Sequence, residues 1–472
     1  DEAVHYSTVQ HWAEPKIKDW QIKEEPKKLF DSSNISTLNF SEEITRAAQA
    51  VDFDEIKSSS QNTQDFSDKA TESSINANTW SRWVDTTPSA VSGTQSWYYL
   101  VSSWIERWLA DQDIFTRMLA IRLFSVLLGF MAVWLAYLTL LKIGFSRVES
   151  TLIAGLIAFQ PMLGVTAAQI NIDIALIFAF ALFTYAGISL LRDSSTPPAF
   201  GEASLGITKN RIWMMRYGII AILAAILGIT AKGPGIVLVG AIVPLFSYVT
   251  WKRYIHRASF RMTTQKLFSA AAILIMIAGT VLVTAFPTYF ESITRASAES
   301  QFDSPLASLA AYIDKTIDID AFRSSALSYW GNFGWLDTSI HDSVFNLIWT
   351  VEIIALIGLL LYLIPSRFLV RQLADRNSQH WIARFLDRLG MTETKEFLPE
   401  KKFIIFFFLL SLALQLAIRF YDWRVFDAHA KILIGTPGRY FLPNIVAHIA
   451  LLVTGLGFFC RSRIQFHWLL KS

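Results

Sequence analysis

Charged residues are scarce in this chain, and their scarcity is the first indication of its class. Asp, Glu, Lys and Arg make up 17% of the 472 residues, whereas soluble globular domains carry about 25%. Apolar residues make up 53%, including 35 Phe and 16 Trp. This composition excludes a disordered chain, a collagen-like chain and a simple cytosolic enzyme, and it is typical of a polytopic membrane protein.

Cysteine and the signatures of several enzyme classes are also missing. Cys460 is the only cysteine, which excludes internal disulfides and cysteine-rich zinc sites. No nucleotide-binding P-loop, dinucleotide fingerprint, zinc-protease helix motif or serine-hydrolase elbow occurs. The net charge of +3 is too small to indicate nucleic-acid binding. Charged residues are nearly absent inside the apolar segments, which argues against an ion-coupled pump.

Long apolar segments are abundant, and we predict an all-α polytopic membrane protein from them. A bilayer core of about 30 Å needs roughly 20 helical residues. Nine segments meet this requirement: Leu119–Leu141, Val148–Ala168, Ile174–Leu191, Ile212–Ala231, Gly235–Trp251, Leu267–Phe286, Val344–Ile364, Phe403–Phe420 and Tyr440–Cys460.

The distribution of Lys and Arg predicts which side of the membrane each loop faces. One set of loops is rich in basic residues: Lys142, Arg147, Arg192, Lys209, Arg211, Lys252, Arg253, Arg257, Arg261 and Lys266, then eight between Arg367 and Lys402, and finally Arg461, Arg463 and Lys471. The short loops on the other side hold few. By the positive-inside rule, residues 1–118 are extracytoplasmic and the C-terminus is cytoplasmic. Because nine spans then start outside, we expect a further span upstream of Asp1.

The predicted domains follow from this topology. Residues 1–118 form an extracytoplasmic loop with a polar insert at 20–95 and an interfacial helix at Ser96–Leu109. The segment 119–286 holds transmembrane helices, 287–343 is a second external loop and 344–364 is one helix. A cytoplasmic loop covers 365–402, and 403–472 holds two helices and a tail.

The first candidate for chemistry is the segment Asp1-Glu2-Ala3-Val4-His5, at the predicted outer surface. A carboxylate there can serve as general base for an acceptor hydroxyl or amine. Glu2 and His5 could also share a divalent metal ion if the segment is helical. The alternative interpretation is a solvated chain end.

The second and third candidates lie at short external turns. Asn171 and Asp173 stand at the mouth of the third predicted span, where a charge inside the bilayer is costly and therefore suggests a function. The alternative is a helix N-cap. Lys232 stands in the turn Lys-Gly-Pro-Gly and can bind a phosphate as a point charge; the alternative is an interfacial lysine whose amine extends to water.

The fourth candidate is a pair of external clusters of aromatic residues and glycines. One runs from Tyr329 to Asp337 and contains Trp335, and the other runs from Gly435 to Pro443 and contains Arg439 and Tyr440. A guanidinium beside glycines fits a phosphate or pyrophosphate, and the aromatic rings can stack on a sugar. The alternative is an aromatic membrane belt with turns.

Taken in order, these motifs resemble a family of bacterial membrane proteins grouped with the GT-C glycosyltransferases. The motifs are Asp-Glu-x-x-His, a Tyr-Tyr interfacial helix with Tyr98, Arg122, Gln160-Pro-Met, Asn171-x-Asp173, Lys232-Gly-Pro, Gly-Trp-Leu-Asp337 and Gly-Arg439-Tyr-Phe-Leu-Pro. More distant relatives by architecture are the protein O-mannosyltransferases and the lipid A aminoarabinose transferases. The resemblance covers most of the chain except 20–95 and 365–402, and implies a GT-C-like helical bundle with extracytoplasmic loops in a bacterial plasma membrane.

The resemblance also implies a chemistry. In such enzymes an external acidic residue is the catalytic base or positions the acceptor, and the matching positions are Asp1 and Glu2, with Asp173 as a further external acid. The donor is a polyprenyl-phosphate sugar, and we expect Lys232 and Arg439 to hold its phosphate. His5, Tyr98, Asn171, Trp335, Asp337 and Tyr440 complete the predicted substrate-binding set.

We therefore predict inverting transfer of a sugar from a polyprenyl-phosphate lipid to an envelope glycan or lipid acceptor at the outer membrane face. No cofactor is required by the motifs, and a divalent metal is an open option. The rival hypothesis is a non-enzymatic carrier or flippase for lipid-linked glycans, or a partner in envelope assembly. Convergence of Asp1, Glu2 and Asp173 on one cavity favours the transferase, because a carrier needs no base.

Overall fold

The computed structural model describes residues 2–13, 41, 43–44, 47, 96–193, 203–255, 304–316, 319–333, 338–363, 397–428, 437–460 and 462–471. Three predicted site residues, Asp1, Trp335 and Asp337, lie outside the described residues. So do the predicted span Leu267–Phe286 and most of the predicted loops 20–95 and 365–402.

The described elements are almost all helices. In chain order they are α1 (Glu2–Ala13), α2 (Trp97–Trp108), α3 (Ile114–Ile143), α4 (Arg147–Ala158), α5 (Pro161–Ala168), α6 (Asp173–Asp193), α7 (Ala203–Ala231), a 3₁₀ turn (Gly233–Gly235), α8 (Ile236–Ile255), α9 (Pro305–Thr316), α10 (Ile319–Gly331), α11 (Asp342–Leu363), α12 (Lys401–Ala428), a 3₁₀ helix (Gly438–Asn444), α13 (Ile445–Gly457) and α14 (Arg463–Lys471). Two antiparallel strands of two residues each, β1 (Asn332–Phe333) and β2 (Thr338–Ser339), form a small ribbon before α11.

Seven of these helices or helix pairs are long and apolar enough to cross a membrane, and the bent pair α4–α5 makes an eighth. They coincide with eight of the nine predicted segments, so the all-α polytopic class is confirmed. The predicted helix at Ser96–Leu109 is confirmed as α2, which begins after the Ser96 side chain accepts a hydrogen bond from the Tyr98 N–H. The aromatic residues of α2 differ in exposure: Tyr98 and Tyr99 are buried, whereas Trp104 and Trp108 are exposed.

The predicted straight span Val148–Ala168 is bent by 64°. Pro161 supplies no backbone N–H and disfavours the helical conformation at the residue before it. Gln160 stabilises the break, because its Oε1 accepts from the Leu163 N–H at 2.6 Å and its Nε2 donates to the carbonyl of Tyr329 at 2.5 Å. The bend therefore joins this span to helix α10.

The core is built around α6, whose apolar window is 89% buried, and the span Gly438–Gly457, which is 72% buried. The other spans are between 22% and 39% buried, so they form the outer ring and present apolar side chains outward, as helices in lipid do. α3 and α7 pack along α6, and α11 and α12 pack against the 438–457 span. The central helices carry the residues of the candidate site at their ends.

Contacts between helix ends define the two faces of the bundle. Lys232, after α7, bonds Asp173 at the start of α6, and we call this the site face. At the opposite face Arg192 donates to the carbonyl of Lys142 at 2.9 Å, and Arg463 pairs with the buried Glu149 at 2.7 Å. Of the basic residues counted in the sequence, the described Lys142, Arg147, Arg192 and Arg463 lie at this opposite face.

A buried ionic cluster fixes α1 and α2 to the site-face end of α3. Arg117 is completely buried and pairs with both Glu43 and Glu106, each also nearly buried. The Tyr6 hydroxyl donates to the Glu106 carboxylate at 3.1 Å and accepts from Arg117 at 3.1 Å. One guanidinium thereby ties the N-terminal helix to the membrane bundle, and this cluster positions the segment that carries Glu2 and His5.

Candidate active site

Glu2 is held at the start of α1 by a two-pronged contact with Arg122. The Arg122 Nε donates to Oε1 at 2.7 Å and its Nη2 donates to Oε2 at 2.6 Å. The backbone N–H of Ile170 also donates to Oε1, at 3.0 Å. Because both carboxylate oxygens are engaged, this geometry suits a positioning group that joins α1, α3 and the turn before α6.

Asp173 begins α6 and is 4% exposed. Its Oδ1 accepts a hydrogen bond from the Lys232 Nζ at 2.6 Å, and no described residue donates to Oδ2. The Asn171 side chain accepts from the Asp173 N–H at 2.9 Å. The Asn171 side chain therefore closes a turn directly before α6, while Asp173 is a buried carboxylate paired with a cation.

Lys232 and Arg439 flank the ring of Tyr440. The Lys232 Nζ lies 4.1 Å from the ring centroid and the Arg439 guanidinium carbon lies 5.7 Å from it. Both backbones are placed by tight glycine packing. A Cβ on Gly235 would lie 2.0 Å from the Gly228 carbonyl oxygen, and a Cβ on Gly438 would lie 2.0 Å from that of Ser325. Glycine is required at both positions, because any side chain would prevent this close approach of the backbones.

His5 lies on α1 between these charged groups and Tyr99. Its Nδ1 shares a hydrogen bond of 2.5 Å with the Tyr99 hydroxyl. Burial is the main cause that lowers the pKa of His5, to about 4, and Lys232 and Arg439 lower it further against the opposing effect of Asp173. The imidazole is therefore neutral at physiological pH, and it can exchange hydrogen bonds with a hydroxyl without adding charge.

Tyr98 lies beneath the site. It is fully buried and shares a hydrogen bond of 2.7 Å with Ser125. Burial raises the pKa of Tyr98 to about 12, so the hydroxyl stays protonated. The ring packs under the turn at Asn171, and its contact with a substrate remains a prediction.

The described charged groups of the site carry both signs. Among the described residues the site holds three cations, Lys232, Arg439 and Arg122, against the two carboxylates of Glu2 and Asp173. The structure brings together seven of the predicted residues: Glu2, His5, Asn171, Asp173, Lys232, Arg439 and Tyr440. No group of three or more His, Cys, Asp or Glu suited to a metal occurs in the described part of the chain, so metal dependence stays an open prediction.

Two residues of the site escaped the sequence analysis in their present roles. Tyr99 was part of the Tyr-Tyr pair but nothing marked it as the partner of His5. Arg122 was named only as one of the family motifs, whereas in the structure it donates to the Glu2 carboxylate, 120 positions away in the chain. No periodicity or local motif encodes either pairing.

Comparison with known proteins gives one family match. Residues 93–294 match the family model described as dolichyl-phosphate-mannose-protein mannosyltransferase, or PMT. This segment is therefore similar to the PMT family. PMT is a branch of the GT-C superfamily, so the GT-C resemblance seen in the motifs is confirmed. No curated protein and no solved structure shows a significant match.

The PMT match covers less than half of the chain, from just before α2 to beyond α8. It includes Tyr98, Asn171, Asp173 and Lys232, whereas Glu2, His5, Arg439 and Tyr440 lie outside it. The family supports an integral membrane glycosyltransferase that uses a polyprenyl-phosphate sugar donor. Residues on both sides of the PMT match complete the same site, because His5 and Arg439 lie close to Asp173 and Lys232.

Proposed function

We propose that this protein transfers a sugar from a polyprenyl phosphate to an acceptor at the site face, with inversion at the anomeric carbon. The observation that carries the proposal is the buried Asp173 carboxylate, 2.6 Å from Lys232 and close to Arg439 and His5. This arrangement combines a group that can bind an acceptor proton with groups that can bind a phosphate.

The donor phosphate would bind at Lys232 and Arg439. A lysine ammonium has three donors, so Lys232 can keep its hydrogen bond to Asp173 and still donate to a phosphate oxygen. As the bond between the anomeric carbon and the phosphate oxygen breaks, negative charge grows on the leaving phosphate, and preorganised cations are most effective at that moment.

The acceptor would be oriented by Asp173, with His5 as a neutral hydrogen-bond partner. The acceptor oxygen or nitrogen attacks the anomeric carbon, its proton passes to a carboxylate, and polyprenyl phosphate leaves. Asp173 has one oxygen on Lys232 and the other without a described donor, which suits acceptance of that proton. Glu2, whose two oxygens are held by Arg122, would position α1, and Asp1 remains a second candidate for the base.

The side of the membrane follows from the positive-inside rule. The described basic residues Lys142, Arg147, Arg192 and Arg463 lie at the opposite face, so the site face would be extracytoplasmic and the C-terminus cytoplasmic. In a bacterial plasma membrane the acceptor would then be an envelope glycan or lipid. The described carboxylates Glu2 and Asp173 lie around one turn, since Glu2 bonds Ile170. That convergence favours the transferase over a carrier or flippase, which needs no base.

The test uses the full-length protein in liposomes with a panel of polyprenyl-phosphate sugars, and it measures release of polyprenyl phosphate by mass spectrometry. We expect Asp173→Asn to lower release by about 10²–10⁴-fold, the usual contribution of a general base, while donor binding persists. Lys232→Ala should weaken donor binding. Asp1→Asn, measured alongside, decides whether Asp1 shares the role of base.

The matched control is Asp314→Asn, which removes an exposed carboxylate of α9. It should leave release unchanged. Full turnover by Asp173→Asn would remove Asp173 from the reaction. Absence of release from every donor, with lipid still bound by the wild type, would support the carrier hypothesis instead.

A further inference from the structure

A cavity lies beside the candidate active site and is not part of it. Its volume is about 480 Å³, and it is enclosed by α10, α11, α12, the 438–444 helix and α13. The 438–444 helix separates the two sites. Tyr440 stacks on Lys232 at the active site, whereas the neighbouring Phe441 lines the cavity, 5.8 Å from the Arg419 guanidinium carbon.

The cavity opens sideways, toward the hydrocarbon of the membrane. Ile353 and Leu356 of α11 and Phe408 of α12 line it, yet each is about half exposed in the described part of the chain (46%, 52% and 45%). α11 and α12 both pack on α13, so they form the two walls of a groove with α13 as its floor. An occupant can therefore enter from the bilayer.

The polarity of the lining changes in the same direction along all three helices. On α11, Trp349 and Glu352 lie toward the site face, and Leu356 and Leu359 lie deeper. On the 438–457 span, Asn444 and His448 precede Leu451 and Leu452. On α12, which runs the other way, Arg419 and Gln415 lie toward the site face and Phe408 lies deeper. A groove with one polar and one apolar end matches a lipid of the site-face leaflet, with its head at the polar end and a chain along the apolar end.

The polar end carries both signs of charge. Arg419 supplies a guanidinium whose nearest carboxylate, Asp422, is 3.8 Å away at the limit of an ion pair. Glu352 supplies a carboxylate: its Oε1 accepts from the Trp330 Nε1 at 3.0 Å and lies 3.3 Å from the His448 Nε2. No described residue donates to Oε2. Guanidinium groups bind phosphates well, and a carboxylate at the other rim suits a cationic group of the same lipid head.

Two further features of the cavity favour an ammonium as the cationic group of the lipid head. Trp330, Trp349 and Tyr329 line the cavity beside Glu352, and aromatic faces attract ammonium ions. The Asn444 Oδ1 is buried and accepts no hydrogen bond from any described residue, while its Nδ2 donates to Ser411. An orphaned acceptor is costly unless a ligand or water donates to it. A primary ammonium has N–H groups to donate, whereas a trimethylammonium group has none.

We propose that this groove binds a phosphoethanolamine lipid, with the phosphate at Arg419, the ammonium at Glu352 and Asn444, and one acyl chain between α11 and α12. The site is separate from the proposed donor site. The bound lipid would pack against the 438–444 helix, which carries Arg439 and Tyr440.

The test is lipid binding to the full-length protein, measured by native mass spectrometry without any sugar donor. Detergent-purified protein is titrated with phosphatidylethanolamine, phosphatidylcholine and phosphatidylglycerol of the same chain length. We expect phosphatidylethanolamine to bind at least tenfold more tightly than the other two. Glu352→Gln should remove this preference, and Arg419→Gln should weaken binding of all three lipids.

A blocking variant and a control keep the result independent of folding defects. Leu356→Trp fills the groove from its exposed wall and should prevent binding while both charges remain. Arg147→Gln removes an exposed cation at the opposite face and should bind lipid as the wild type does. Equal affinity for the three lipids would overturn the proposal. Displacement of phosphatidylethanolamine by polyprenyl phosphate, one molecule for one, would also overturn it and assign the groove to the donor. Because no donor is needed, these outcomes do not depend on the proposed transferase activity.

Discussion

The Arg117 cluster allows a prediction of stability that depends on pH. Arg117→Gln removes the only cation in the described contacts of two buried carboxylates, Glu43 and Glu106. Breaking a buried ion pair by deleting one partner costs about 3–5 kcal/mol, because the remaining charge is buried without compensation. At pH 8 we expect the free energy of unfolding to fall by that amount. We also expect α1 to detach from the helix bundle before the rest of the protein unfolds.

The loss should be smaller at pH 5. Burial is the main cause that raises the pKa of Glu106 above its usual value, and one guanidinium cannot balance two carboxylates. A raised pKa in the folded state gives stability that is complete below the unfolded value of about 4.3 and is lost as the pH rises through the folded pKa. Removal of Arg117 raises that pKa further, so the deficit of the variant grows with pH.

Equilibrium unfolding in mixed micelles at pH 5 and pH 8 measures both effects, and hydrogen exchange of α1 reports its detachment. The double variant Arg117→Gln/Glu106→Gln should recover part of the loss at pH 8, because it removes one of the two uncompensated charges. A loss below about 1 kcal/mol, or the same loss at both pH values, would refute the reasoning that Arg117 compensates buried charge.

Three further results are expected. Arg122→Gln should release Glu2 and lower kcat with little change in donor binding, measured by release of polyprenyl phosphate; a change in donor affinity alone would contradict a positioning role. His5, with a pKa of about 4, should show no titration near pH 6.5 in NMR spectra of labelled imidazole, and a midpoint near 6.5 would contradict its burial. Gly438→Ala should lower the free energy of unfolding by about 1–3 kcal/mol, because the new Cβ would meet the Ser325 carbonyl. Gly164→Ala is the control and should not destabilise the protein, because there is open space at its Cβ. Equal effects of the two substitutions would argue against close packing at Gly438.

Much of the fold could be read from composition and spacing, for a physical reason. Segments that cross a hydrocarbon layer must be long, apolar and helical, since their backbone groups can bond only within the helix. Eight predicted spans therefore match described helices or the bent pair. The bend at Gln160 was not predicted, because Pro161 weakens a helix but the direction of the break is set by the contact of Gln160 with Tyr329.

The site was predicted in part, because residues near the same ends of neighbouring helices are brought to one face by the topology. Alternation of the spans placed Asp173, Lys232 and Arg439 on one side. Alternation alone could not show that Lys232 bonds Asp173 across 59 residues, or that Arg122 occupies both oxygens of Glu2. Those pairings depend on which helices are neighbours and on how each is rotated, and apolar helices carry no periodic signal of rotation.

The sequence by itself determined that the protein spans a membrane, and it predicted which loops share a face and which residues would bind phosphate or a proton there. Only the tertiary structure decided which of these groups are in contact and that two carboxylates share Arg117. It also decided that three helices line one groove, with polar residues at one end and apolar residues at the other. The first set follows from transfer of local segments between water and hydrocarbon. The second depends on packing between segments distant in the chain, and close-packed side chains accept few arrangements.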